Sequence, residues 1–144
     1  TEEPAIRPAE GHLIILVIDD DVNIASLLER ICAKEGHTVY RALSGQEGLE
    51  IFNKEAVDLV ISDLGMPGMN GWDVGKAIRS ICQEKGVSKP PFILLTGYGG
   101  QELEKEKITE SGVDAVVAKP IDSPALLATV QEIAERFSIG SQVT

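Results

Sequence analysis

Four groups of residues in this chain have the chemistry and spacing to work together. Asp19, Asp20 and Asp21 form an acidic triplet directly after an apolar run, and Asp63 stands directly after another. Thr96 follows a third run, and Lys119, ahead of Pro120, follows a fourth. Each has an ordinary reading by itself. Asp20 or Asp21 could cap a helix, and Asp63 could start a turn into the Gly65-Met66-Pro67-Gly68 loop. Thr96 could be a strand-end hydroxyl, and Lys119 a solvated surface lysine. Gathered in one crevice, they would do something more specific. At about 4 Å and an effective dielectric near 20, each like-charge carboxylate pair costs on the order of 4 kcal/mol, so the cluster needs a cation. Hard oxygen ligands favour Mg²⁺. A carboxylate beside it remains a nucleophile able to attack phosphorus and give an acyl phosphate. Thr96 and Lys119 could then hold the phosphoryl oxygens, since positioning and charge stabilisation dominate phosphoryl transfer.

The elements that must position these groups are legible in the apolar pattern. Short, continuous, β-branched runs at 13–18, 57–62, 92–95 and 115–118, with a weaker, more exposed one at 38–42, predict five strands. Helical periodicity falls between and after them, at 23–34, 72–83 and 101–111. Ser44 and Glu47 have capping-box spacing and open a helix that runs to about 54. Ser123-Pro124 opens the last helix, which carries Leu126, Leu127, Val130, Ile133, Ala134 and Phe137 as a stripe. Residues 63–71 are expected to be loop, and 101–111 is very polar, with only Leu103 and Ile108 to bury. A strand–helix unit repeated five times predicts an α/β, doubly wound parallel sheet in the order 2-1-3-4-5. Ligands in such sheets bind beyond the carboxyl ends of the strands at the topological switch point. That is where the carboxylates, the hydroxyl and the ammonium all fall.

Bulk properties narrow the function. The 144 residues suit one compact domain, expected at 13–137 between polar tails at 1–12 and 138–144. A formal net charge of −10 argues against direct nucleic-acid binding. Cys32 and Cys82 lie in apolar helical stretches, without the spacing of a zinc site, and read as buried free thiols. No apolar run approaches the ~18 residues of a membrane span, and the first residues do not resemble a signal peptide. The loop after the first strand lacks the glycine pattern of a dinucleotide site. No cap segment is present for an aspartate-nucleophile phosphatase working on small phosphoesters.

The motifs Ile-Leu-Val-Ile-Asp-Asp-Asp (15–21), Asp-Leu-Val-Ile-Ser-Asp-Leu-Gly-Met-Pro-Gly-Met-Asn-Gly (58–71), Leu-Leu-Thr-Gly-Tyr-Gly (94–99) and Ala-Lys-Pro (118–120) resemble those of the response-regulator receiver family, over about 13–137. The resemblance implies a flavodoxin-like, CheY-like (βα)5 fold and a role in two-component signalling. It implies that Asp63 accepts a phosphoryl group from a histidine kinase or a histidine phosphotransfer protein. By the same resemblance Asp20 ligates Mg²⁺ directly, Asp19 acts mainly through water, and the backbone carbonyl of Gly65 is a further ligand. Thr96 is the switch hydroxyl, Lys119 pairs with the phosphoryl group, and the Lys119-Pro120 bond is cis. The implied output surface is 101–137, the implied state a monomer or phosphorylation-dependent dimer, and the implied location cytoplasmic. An aromatic residue often stands three positions before the lysine in this family. Val116 stands there in this chain. The Thr-Gly-Tyr-Gly stretch is similar to receivers attached to hybrid histidine kinases, and Gly65 and Tyr98 are placed to tune water access to the acceptor.

Overall fold

The computed structural model describes residues 11–97 and 104–137. Five strands alternate with five helices: β1 Ile14–Ile18, α1 Val22–Lys34, β2 Thr38–Ala42, α2 Gly45–Lys54, β3 Leu59–Asp63, α3 Gly71–Lys85, β4 Phe92–Thr96, α4 Lys105–Ser111, β5 Ala115–Ala118 and α5 Ser123–Arg136. All neighbouring strands pair in parallel, in the order β2-β1-β3-β4-β5. Both the alternation and the order match the sequence expectation.

Residues alternate across the central strands, so the sheet feeds two cores. Ile15, Val17, Ile61, Ile93 and Leu95 face one side, where Leu28, Ile31 and Cys32 of α1 and Leu126, Val130 and Ile133 of α5 cover them. Leu16, Ile18, Val60, Phe92 and Leu94 face the other, against Trp72, Val74, Ile78 and Cys82 of α3. Burial of one such aliphatic side chain contributes roughly 1.5–3 kcal/mol. Both cysteines are buried free thiols. On the edge, β2 is half exposed, as its weaker pattern implied.

Local chemistry sets the helix ends. Asp21 caps α1, its side chain accepting from the Asn23 and Ile24 N–H groups. Ser44 caps α2 through the Glu47 N–H, and the Glu47 carboxylate accepts from the Leu43 N–H. Asn70 and Asp73 form a full capping box on α3, so that helix starts at Gly71 and not at the expected position 72. For α5 the cap is Asp122, accepting from the Ala125 N–H, with Ser123 already helical. A carboxylate one residue upstream displaces the hydroxyl favoured from sequence. Among the described residues of the polar segment at 101–111 is the seven-residue α4, with no side-chain cap hydrogen bond; Leu103 lies outside the described residues. Instead α4 is held from α3. Arg79 Nη1 donates to the Thr109 and Glu110 carbonyls at 2.9 and 3.0 Å. A Cβ at Gly75 would collide with the Ser111 carbonyl, so only glycine admits this helix contact. Among the described residues, no helix is long and apolar enough to cross a membrane.

Candidate functional site

Sheet register brings the acids together. Ile18 pairs with Ser62, so Asp19 leaves β1 beside Asp63, the last residue of β3. Asp63 pairs in turn with Leu95, and Thr96 with Ala118. The Lys119 N–H donates to the Thr96 carbonyl at 2.8 Å, which carries the lysine in from the outer strand. Asp63 was expected to begin the loop, yet it is still in the ladder: the Leu64 N–H donates to the Leu95 carbonyl. The nucleophile candidate is therefore fixed by the sheet and not by a turn. Gly71 closes in behind it, where a Cβ would come within 2.6 Å of the Asp63 carbonyl.

Asp19, Asp63 and Thr96 are buried, whereas Asp20 is exposed. One carboxylate oxygen from each of Asp19, Asp20 and Asp63 can lie within 4.8 Å of the others. Lys119 Nζ bridges two of them, at 2.8 Å from Asp63 Oδ1 and 3.0 Å from Asp19 Oδ2. The Asp21 N–H donates to Asp19 Oδ1. Asp19 Oδ2 is fully buried, and the Lys119 ammonium at 3.0 Å, shared with Asp63, is its charged neighbour among the described residues. Two buried carboxylates that share one ammonium leave the crevice short of positive charge, which costs free energy. The acidic set fits a small hard cation.

Burial pushes the Asp19 carboxyl above its ordinary range and the Asp63 charge adds to this, while the Asp21 amide and the Lys119 ammonium work against it. Burial would lower Lys119, yet its contacts with Asp63 and Asp19 outweigh that and hold the ammonium above its ordinary range. The lysine is thus firmly charged at neutral pH.

The sequence expectations can be placed one by one. Asp19, Asp20, Asp63 and Lys119 converge on one crevice at the switch point. Thr96 ends the neighbouring strand, and Gly65 is exposed in the loop two residues past Asp63. The Lys119-Pro120 bond is cis. Val116 is 41% exposed on β5. Tyr98 lies outside the described residues. Sequence reasoning missed two things: that Lys119 spans Asp19 as well as Asp63, and that Gly71 backs the Asp63 main chain. A glycine at a helix start after the acidic strand end was the available signal for the second.

Comparison with known proteins identifies the family of this fold. The family model described as "Response regulator receiver domain" matches residues 15–131. The transcriptional regulatory protein GlrR of Escherichia coli is 36% identical over 122 residues, covering 85% of this chain and 26% of that protein. Sporulation initiation phosphotransferase F of Bacillus subtilis is 35% identical over 108 residues, 75% of this chain and 82% of that protein. Among solved structures, the Thermotoga maritima response regulator TrrA, in complex with Mg²⁺-BeF, superposes with a TM-score of 0.70 at 31% identity, covering 84% of this chain and 98% of that one. The chain spans 26% to 51% of the length of the bacterial transcriptional regulatory proteins it matches.

Proposed function

Because the chain belongs to the response regulator receiver domain family of two-component systems, we propose that Asp63 accepts a phosphoryl group from a phosphohistidine on a histidine kinase or a histidine phosphotransfer protein. The observation that carries this is the Lys119 ammonium 2.8 Å from Asp63 Oδ1, inside a three-carboxylate crevice at the switch point. It marks Asp63 as a carboxylate held next to a fixed positive charge.

In the proposed step an Asp63 oxygen attacks phosphorus in line with the bond to the donor imidazole. The P–O bond forms, the P–N bond breaks, and the departing nitrogen keeps the electron pair. Lys119 follows the negative charge from the Asp63 carboxylate to the phosphoryl oxygens, and the Thr96 hydroxyl donates to one of them. The carboxylates of Asp19, Asp20 and Asp63 and the backbone carbonyl of Gly65 would hold Mg²⁺. The chemistry that ion supplies when bound is charge neutralisation on the phosphoryl oxygens. The domain extends over 13–137 in this reading, with tails at 1–12 and 138–144. It is a phosphoacceptor and not a turnover enzyme, although its own residues assist gain and loss of the phosphoryl group. It works in the cytoplasm, as a monomer or a phosphorylation-dependent dimer, without direct nucleic-acid contact. Its downstream partner meets the 101–137 face.

Incubation with Mg²⁺ and acetyl phosphate tests the proposal. Intact mass should rise by one phosphoryl group on Asp63, as a labile adduct, and Asp63→Asn should abolish it. A wild-type chain that stays unmodified with Mg²⁺, acetyl phosphate and a phosphohistidine protein would overturn it.

A further inference from the structure

At the opposite edge of the sheet from the acidic crevice, two histidines meet where the chain enters β1. His37, first after the α1 turn, accepts the Leu13 N–H on its Nδ1 at 3.1 Å. His12 Nδ1 donates to the Gly36 carbonyl, and its Nε2 lies 3.1 Å from Thr38 Oγ1. The rings are 6.4 Å apart, tilted by 52°. Across β1, Asp58 accepts the next amide, the Ile14 N–H, at 2.8 Å. The amide just before the strand and the strand's first amide are therefore each held by a side chain, one from the residue before β2 and one from the residue before β3. Gly11, just before, has a left-handed φ of 87°, which turns the chain toward the histidines.

We propose that His12, His37 and the α1–β2 turn form an acid-sensitive latch, which holds the Leu13 amide at neutral pH and releases it when His37 takes up a proton, while the Leu13 side chain stays in the core and its carbonyl stays on the Thr38 N–H. The chemistry is a matter of donors and acceptors. The Leu13 N–H requires a lone pair on His37 Nδ1, so the neutral ring carries its proton on Nε2. Protonation places a second donor against the Leu13 N–H, and one hydrogen bond becomes a donor–donor conflict. Three influences act on the ring. Burial opposes its charge most strongly, His12 from the β1 side opposes it too, and Glu35 from the end of α1 favours it. Asp58, at the start of β3, is engaged with the Ile14 N–H on the far side of the strand. The net effect is a neutral His37 at pH 7 and a switching point below the ordinary histidine range. Proton uptake there loosens how the chain joins its domain, at the far end of the sheet from Asp63.

Amide hydrogen exchange of the full chain, followed by NMR, tests this. Between pH 7.5 and 5.0, protection of the Leu13 amide, corrected for its intrinsic rate, should fall by about fivefold or more, as loss of one hydrogen bond requires. The midpoint should coincide with the His37 ring titration, and the Ile61 amide should serve as an unaffected reference. In His37→Asn, where the side-chain carbonyl can replace Nδ1, protection should persist and lose its pH dependence. His37→Ala should leave the amide unprotected across the range. Wild-type protection that does not change with pH, or a response that survives in His37→Asn, overturns the latch.

Discussion

At the scale of single residues, Lys119 has the largest consequence. It is the cation that reaches two buried carboxylates, and removing it strands both. Breaking a buried pair from one side costs about 3–5 kcal/mol, discounted here because the lysine is one-fifth exposed. Lys119→Met should therefore lower urea-unfolding stability at pH 7 by roughly 2 kcal/mol, and Asp63→Asn introduced into that variant should restore part of it. If the double variant is no more stable than the single one, the two carboxylates do not repel as described. Cys32 gives a second residue-scale prediction. Burial, with Glu35 adding, pushes its thiol up to about 11 from an ordinary 9.0. A thiol raised in the folded state contributes stability that is full below pH 9.0 and is lost as pH rises through about 11. The loss should be on the order of 2 kcal/mol across that window and absent in Cys32→Ala. At pH 8 the folded chain should leave Cys32 unmodified by a thiol reagent that labels it rapidly in denaturant. What could be read from the sequence at this scale was residue identity. That one ammonium reaches both Asp19 and Asp63 depends on how the ends of three strands meet, which no spacing encodes.

At the scale of elements, glycines mark where helices come closest to their neighbours. Gly75 lies against the Ser111 carbonyl, whereas a Cβ at Gly65 would meet no atom within 4 Å. Gly75→Ala should then cost about 1–3 kcal/mol, because backbone must move. Gly65→Ala, with no left-handed φ to lose, should stay within about 0.5 kcal/mol. Thermal melts of the two variants side by side check both. Elements with a strong apolar run, β1 and β4, were legible nearly to the residue, since burial on both faces leaves a continuous signature. The end of β3 was not. An aspartate is a poor strand residue, and only pairing with Leu95 keeps Asp63 in the ladder. Nor was the manner of holding α4 legible. Its sequence offers little to bury, and Arg79, which caps its last turn, comes from thirty residues away.

Across the whole molecule, the topology was readable because alternation of strand and helix, with right-handed crossovers, leaves few arrangements. The location of the crevice followed from the same rule. Its energetic state follows from folding itself. Three carboxylates are assembled with a single lysine, so a bound divalent ion should stabilise the fold by mass action. At a concentration a hundredfold above the dissociation constant, Mg²⁺ should add about 2.7 kcal/mol. A calorimetric scan with and without Mg²⁺ should show the upward shift, and Asp20→Ala, which removes an exposed carboxylate with little cost to packing, should remove most of it.

The charge of the whole chain also has a kinetic side. With a divalent ion bound, three carboxylates and one ammonium leave the crevice formally neutral, yet the chain around it carries −10. An anionic small donor such as acetyl phosphate must approach against that field, and dissolved salt shortens the field's reach to about 8 Å at physiological ionic strength. Labelling by acetyl phosphate at saturating Mg²⁺ should thus quicken as sodium chloride is raised. A protein donor presenting a basic surface should slow under the same conditions. The charge pattern would act as a filter on encounters, turning away stray small phosphodonors while drawing in a macromolecule of opposite sign.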